Sequence, residues 1–276
     1  MEGIKPMKKQ NNFSPQHSLY VKRVKRETVL VWVLRFAILI LGLGLWEVSA
    51  RTGLIDSFIS SCPSKILITI KELFTENNLL HHMGITMYET VLGFLIAVGL
   101  GYLIALLLWW SERLRRVLDP YIVVLNSLPK IALGPIIIVW CGSGSKAIIF
   151  MAVLIGIIVA IITMLNGFLA TDKNKILLLK AMGANKLQIL IKLVIPGSLP
   201  TLISMLKISV GMAWVGSIMG EYLVSRAGLG YLIVYGGQVF KLDLVMAATV
   251  ILCILAALMY AIVALLEKIL IKHNNH

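Results

Sequence analysis

Ala147 to Ala170 reads AIIFMAVLIGIIVAIITMLNGFLA, a run without one charged side chain. A helix rises 1.5 Å per residue, so about 20 apolar residues cross the roughly 30 Å hydrocarbon core of a bilayer. Five further stretches qualify on either side: Val29–Ala50, Met83–Trp110, Val117–Trp140, Thr201–Val224 and Leu244–Leu270. Lipid offers no partner to a free N–H or C=O, so each is expected to be helical. The fold class that follows is all-α, a polytopic membrane protein with about six transmembrane helices.

Composition agrees. Of 276 residues 59% are hydrophobic and 14% charged, with a mean hydropathy of +0.91. Soluble domains usually carry roughly 45–50% apolar and about 25% charged residues. The net charge of +13 would suggest nucleic acid in a soluble protein. Here the basic residues lie between apolar runs, where they orient the chain, and nucleic acid is set aside as a partner. Cys62, Cys141 and Cys253 show no metal-ligand spacing and read as packing residues. His17, His81, His82, His273 and His276 all fall outside the apolar runs, so no metal site is expected. Residues 1–28 are polar and basic, and the apolar stretch after them is too long for a signal-peptide core, so the first span is expected to stay as an anchor.

Ser64 to Glu76 is too short to span. Ile66, Leu67, Ile70, Leu73 and Phe74 recur at helical spacing with Lys65, Lys71 and Glu72 between them, the pattern of an amphipathic helix at the membrane surface. Orientation follows from Lys and Arg in the connections. Lys5, Lys8, Lys9, Lys22, Arg23, Lys25 and Arg26 precede the first span, and Arg113, Arg115 and Arg116 follow the second. Lys173, Lys175, Lys180, Lys186 and Lys192 follow the fourth, and Lys268 and Lys272 end the sixth. These outnumber the basic residues of the other side, which places both termini in the cytoplasm. The expected organisation is a basic cytoplasmic segment at 1–28, a membrane domain at 29–270 and a tail at 271–276. Gly93, Ala97, Gly101 and Ala105 repeat every four residues, a spacing that lets helix backbones approach closely. Gly216 and Gly220 repeat it once, by packing or by chance.

The longest cytoplasmic connection runs over about 171–199. Thr171 or Asp172 can cap a short helix, and Gly183 can end it in a left-handed turn. Asn185 can cap a second helix that Pro196 stops. By pattern alone this is either a helix pair lying on acidic lipid or a handle for another protein.

The same connection resembles the cytoplasmic signature of ABC importer permeases: Glu-Ala-Ala, three residues, Gly, nine residues, Ile-x-Leu-Pro. Gly183 holds the Gly position, and Leu193, Ile195 and Pro196 hold the later ones. Leu177, Leu178 and Leu179 stand where the family has Glu-Ala-Ala, so the family's Glu contact does not carry over. Asn126–Pro135 running to Gly142, and Gly211–Gly216 running through Glu221 to Ile233, resemble the nitrate, sulfonate, taurine and bicarbonate group, whose relatives also carry thiamine-precursor pyrimidines or riboflavin. So does Ser61–Ser64, and the similarity covers roughly 60–268. The resemblance implies a type I importer permease fold in a bacterial inner (plasma) membrane. It implies that Leu177, Leu178, Leu179, Lys180, Ala181, Gly183, Ala184 and Pro196 form an ATPase-coupling loop. It further implies a cytoplasmic ATPase dimer, a second permease copy, most simply a homodimer, and an extracytoplasmic substrate-binding protein. ATP and Mg would sit on the ATPase, with no cofactor on this chain.

Pro129, Lys130, Pro135, Trp214 and Glu221 are the candidate path residues. The prolines each remove a backbone donor, and such breaks survive in lipid where freed carbonyls face protein or water. A charge at the bilayer centre costs roughly 2.5–3.5 kcal/mol on insertion scales, which directs Lys130 toward a polar cavity suited to an anion. Lys207 is near enough to its helix end to snorkel. Glu221 either pairs with Arg226 or lines the path, and Glu89 either pairs with a lysine or lines it. Gly228, Gly230, Gly236 and Gly237 read as a flexible outer loop, either a gate or an ordinary turn.

Three function classes separate. A permease subunit needs a coupling loop and no nucleotide site, and the chain has no Gly-x-x-x-x-Gly-Lys-[Ser/Thr] loop. A secondary transporter or channel, the alternative, needs central acids or a repeat of broken helices. A membrane enzyme needs a reactive cluster at one depth, and none is evident.

Overall fold

The computed structural model describes residues 15–55, 61–76 and 78–274. Lys5, Lys8 and Lys9 lie outside the described residues. Among the described residues every regular element is helical: α1 (Pro15–Arg51), α2 (Pro63–Glu76), α3 (Leu79–Trp110), α4 (Glu112–Ser127), α5 (Gly134–Cys141), α6 (Ser145–Leu169), α7 (Lys173–Ala181), α8 (Lys186–Ile189), α9 (Leu199–Val224), α10 (Leu229–Gln238) and α11 (Leu242–Asn274). Helices α1, α3, α6, α9 and α11 are long and apolar enough to cross a membrane, and α4 with α5 makes a sixth span if the bent pair is counted as one.

The chain divides into two compact units, Met1–Ser64 and Lys65–His276. In the first, α1 exposes an apolar surface from Val29 to Leu45. Arg35, inside this apolar run, lies with its guanidinium 5.2 Å from the Trp32 ring centre. Near the end of α1 the Glu47 carboxylate accepts from the Ser64 N–H (3.1 Å), the Ser64 hydroxyl (2.8 Å) and Arg51 (2.6 Å). The Ser64 N–H is one of the donors that the first turn of a helix leaves unsatisfied.

In the second unit α6 is the central helix, packed along α3 on one side and α9 on the other. The small-residue rows explain how. A Cβ on Gly93 would stand 2.5 Å from the Ala152 Cβ, and one on Gly101 would stand 2.6 Å from that of Ala160. Ala97 fits against Gly156 in return, where an added Cβ would stand 3.1 Å from the Ala97 Cβ. Gly216 and Gly220 of α9 meet the other side of α6, their Cβ positions 2.4 Å from the Ala152 Cα and 2.9 Å from the Ile148 Cα. The second, shorter repeat is therefore packing, not chance. Lipid tails are as apolar as the helices, so van der Waals contact at this distance, and not the hydrophobic effect, holds the bundle. A hydrogen bond between Thr90 and Ser217, at 2.6 Å, joins α3 to α9 in the core and contributes on the order of 0.6 kcal/mol.

Several expectations change. Val117–Trp140 is not one straight span: α4 and the segment from Lys130 to Cys141 meet at 86°. Leu128 is extended, as the residue before a proline prefers, and Pro129 opens a single tight turn over Lys130–Leu133. The glycine-rich stretch expected as a loop is helix α10. His81 and His82, expected outside the spans, lie in the first turn of α3. Cys62 is buried, but Cys253 faces outward from α11 and fills no core position. Lys207 does not simply snorkel, since its ammonium pairs with Glu267 of α11 at 2.6 Å.

Candidate functional site

The 171–199 connection is built from local rules. The Asp172 carboxylate caps α7 by accepting from the Asn174 N–H at 2.8 Å. Gly183, at φ +81°, ends α7: its N–H donates to the Lys180 carbonyl (3.0 Å) and the Ala184 N–H to the Leu179 carbonyl (2.9 Å). This pair of bonds closes a helix around a left-handed residue, a conformation that resists a Cβ. Asn185 and Gln188 then exchange bonds of 2.8 and 2.9 Å across the first turn of α8, satisfying two otherwise free donors. Pro196 does not stop this helix. The backbone widens over Leu190–Val194 and continues through Ile195–Gly197 into α9. A wide turn absorbs the missing N–H and the ring of a proline without ending the helix.

Two surfaces result. Leu179 and Ala184 pack inward on a core cluster that holds Leu108, Met164, Phe168, Ile189 and Val194. Leu177, Leu178 and Met182 point out, with 66%, 61% and 74% of their surfaces exposed. Lys180, Ala181 and Gly183 are exposed beside them. A hollow of about 290 Å³ lies along the turn, lined by Leu179, Met182, Gly183, Ala184, Gln188 and Lys192.

Lys186 anchors the loop. Its ammonium donates to the Trp110 carbonyl at the end of α3 and sits 5.7 and 5.3 Å from the Trp109 and Trp110 ring centres. A cation there meets the negative end of the α3 dipole and the faces of two indoles. Sequence reading placed Lys186 only as a positive charge, because its partners lie 76 residues away.

The opposite end of the bundle is organised around the start of α10. Its first N–H groups are taken by side chains: Gly228 donates to His82 Nδ1 (2.9 Å), Leu229 to Thr86 Oγ1 (2.8 Å) and Gly230 to Glu221 Oε2 (2.5 Å). A Cβ on Gly228 or Gly230 would stand 2.5 or 2.7 Å from Glu221 Oε2, so only glycine leaves room for the carboxyl. Glu221 thus caps a helix, and no ion pair with Arg226 forms among the described residues. Glu89 is as buried as Glu221, each 1% exposed, and its carboxyl neighbours are Ser145 and Glu221. Among the described residues Glu89 Oε2, Glu221 Oε1 and Trp214 Nε1 have no hydrogen-bond partner. Beside them opens a cavity of about 330 Å³ lined by Glu89, Ser143, Ser145, Ser225 and Arg226. Besides the two acids in apolar spans, the sequence signal for this cluster is the spacing of His82, Thr86 and Glu89, which puts all three on one face of α3.

Three of the path candidates, Pro129, Lys130 and Pro135, are not gathered with these. Pro129 is exposed at the bend, and Lys130 is half-buried with its ammonium on the Asn126 carbonyl at 3.2 Å. Pro135 is exposed in the first turn of α5. Trp214 and Glu221 lie inside the α9 packing surface, both buried.

Comparison with known proteins places this architecture. The chain is 29% identical over 233 residues to a putative aliphatic sulfonates transport permease protein of Bacillus subtilis, covering 84% of each. It is 30% identical over 227 residues to a formylaminopyrimidine transport permease protein of Halalkalibacterium halodurans, covering 82% of this chain and 90% of that one. A bacterial ABC transporter involved in import of the acidic polysaccharide alginate contains a chain of the same fold. Its TM-score is 0.62 at 14% identity, over 90% of this chain and 98% of that one. Residues 97–273 match the family described as binding-protein-dependent transport system inner membrane component, and the chain belongs to that family.

Proposed function

We propose that this chain, a permease subunit of an ABC importer for small solutes, forms the path for a nitrate-, sulfonate- or taurine-like anion, or a thiamine-precursor-like molecule. An extracytoplasmic binding protein delivers the solute, and a cytoplasmic ATPase dimer drives its passage. Two copies enclose the path between them, with both termini in the cytoplasm. ATP and Mg belong to the ATPase subunits, and this chain contributes no catalytic residue.

The observation that carries this reading is the α7–α8 loop. Its outward leucines are mostly exposed, while its caps and Lys186 hold it to α3 and the core. An element that is apolar outside and rigid inside transmits force to the helices it is fixed to. Closure of the ATPase dimer draws two such loops together and turns the permease to face outward, and hydrolysis releases it. The ATPases supply the difference in free energy by binding one state better than the other. Lys130 at the α4–α5 bend supplies positive charge along the path.

The test is co-purification with candidate ATPases, followed by ATP hydrolysis in the presence and absence of loaded binding protein. Gly183→Pro should insert into the membrane normally yet lose substrate stimulation of ATP hydrolysis. Stimulation at the wild-type level in that variant, or transport by the purified chain without an ATPase, would overturn the reading.

A further inference from the structure

A second cavity at the end of the bundle opposite the α7–α8 loop is lined by donors. It measures about 210 Å³, below the roughly 300–1,000 Å³ of a drug-sized site, so it suits a compact ion. Its polar lining is His82, Tyr231, Tyr235 and Lys241, over buried Leu232 and Leu244. The three rings form a ladder: His82 and Tyr231 stack at 6.2 Å and 10°, Tyr231 and Tyr235 at 5.9 Å and 19°.

The hydrogen bonds fix the character of this lining. His82 Nδ1 accepts from the Gly228 N–H, so the ring is neutral and its proton sits on Nε2, which leaves Nε2 as a donor. Lys241 has no carboxylate partner among the described residues, and neither phenol has a hydrogen-bond partner there. Among the described residues no acidic side chain lines the cavity, and Asp243, close in sequence, is not part of it. The backbone that carries Lys241 is fixed, since its N–H donates to the Gly236 carbonyl at 2.8 Å and its carbonyl accepts from the Leu244 N–H at 3.0 Å.

We propose that this cavity binds a monoanionic oxyanion head joined to a short aliphatic chain, a sulfonate or a phosphodiester. Lys241 and the Tyr231 and Tyr235 hydroxyls hold the head, with His82 Nε2 as a further donor, and Leu232 and Leu244 receive the chain. Several separate donors suit a tetrahedral head, whose oxygens point in different directions, better than a planar carboxylate, which calls for a bidentate fork. Two sources present this chemistry: a free alkanesulfonate, or the headgroup of a phospholipid. That the ligand is also the transported solute rests on the function proposed above; the site itself does not.

Calorimetric titration of the full chain in maltoside detergent tests it without any ATPase, so its failure leaves the permease reading intact and the reverse also holds. The probes are 1-butanesulfonate and, in a separate arm, dihexanoylphosphatidylglycerol. Saturable binding of either is expected, weakened about tenfold by Lys241→Gln, the size of one charge-assisted hydrogen bond, and several-fold by Tyr235→Phe. Tighter binding of butanesulfonate identifies the free anion as the source, and tighter binding of the phospholipid identifies the headgroup. Both residues are exposed, so both variants should elute and melt as the wild type does. Absence of binding by both probes, or binding that Lys241→Gln and Tyr235→Phe leave unchanged, overturns the site.

Discussion

The two ends of the helical bundle are built by different means. At the α7–α8 end each turn is closed by residues within five positions of one another: Asp172 with Asn174, Gly183 with Lys180, Asn185 with Gln188. At the other end the first turn of α10 is closed by His82 and Thr86, more than 140 residues away, and by Glu221 on a different helix. One end is made by local rules and presents its apolar side chains outward. The other is made by tertiary contacts and hides its charges. A surface that must meet a second protein is best kept intact by bonds that do not depend on the rest of the fold. A buried polar cluster exists only when the whole bundle is assembled, and it is where a change in helix packing is felt first.

The strongest way to break this contrast is at Glu221. Replacing Glu221 by Ala leaves the buried Gly230 N–H without an acceptor, and an orphaned buried donor costs about 1–3 kcal/mol. Removing a buried side chain adds a cavity to that. A loss of about 3 kcal/mol is expected, measured as thermal unfolding of the purified chain in detergent. Glu221→Gln keeps an acceptor and should lose less than half as much. Equal losses in the two variants would show that the carboxyl fills space and does not cap α10.

The difference between the ends also decides what sequence reading reached. Five of the spans, the amphipathic α2, and the caps at Asp172, Gly183 and Asn185 all rest on spacings within one segment, so a linear reading finds them. The Gly93-to-Ala105 row was legible for the same reason, although its partners Ala152, Gly156 and Ala160 were not named by it. The α4–α5 bend was half legible: Pro129 and Pro135 signalled a break, but an angle of 86° depends on how α5 packs, with Gly134 against Leu223. Of the two readings of Glu221, the pairing with Arg226 does not form among the described residues, because the Gly230 N–H becomes its neighbour once α10 forms. Treating the four glycines as a sign of flexibility missed α10 itself, where Gly228 and Gly230 make room for a carboxyl.

A smaller effect is expected at Lys186, where the locally built end reaches across the sequence to α3. Lys186→Met keeps most of the stem and removes the charge. An exposed cation–aromatic contact contributes about 0.5–1 kcal/mol and a cation at a helix C-terminus a similar amount. A loss of about 1 kcal/mol is expected in the same unfolding measurement, with substrate-stimulated ATP hydrolysis falling further than binding of the ATPase. Lys186→Arg should restore most of both. If Lys186→Met lowers stability but leaves stimulation untouched, the loop moves α3 through its apolar contacts alone.

The smallest effect on the fold belongs to the exposed leucines, and it separates the two ends most sharply. Leu177 and Leu178 are mostly exposed, so Leu177→Glu with Leu178→Glu should change stability by less than about 0.5 kcal/mol. Charge placed on a face that meets another protein must be desolvated on contact, and an unpaired buried charge costs several kcal/mol. The double variant is therefore expected to fold and melt as the wild type does while losing its hold on the ATPase at least tenfold in co-purification. If it binds the ATPase normally, the outward face of α7 rests against lipid and the handle lies elsewhere on the loop, along the hollow between Met182 and Lys192. If it fails to fold, the α7–α8 end is not the self-contained structure that its short-range bonds describe.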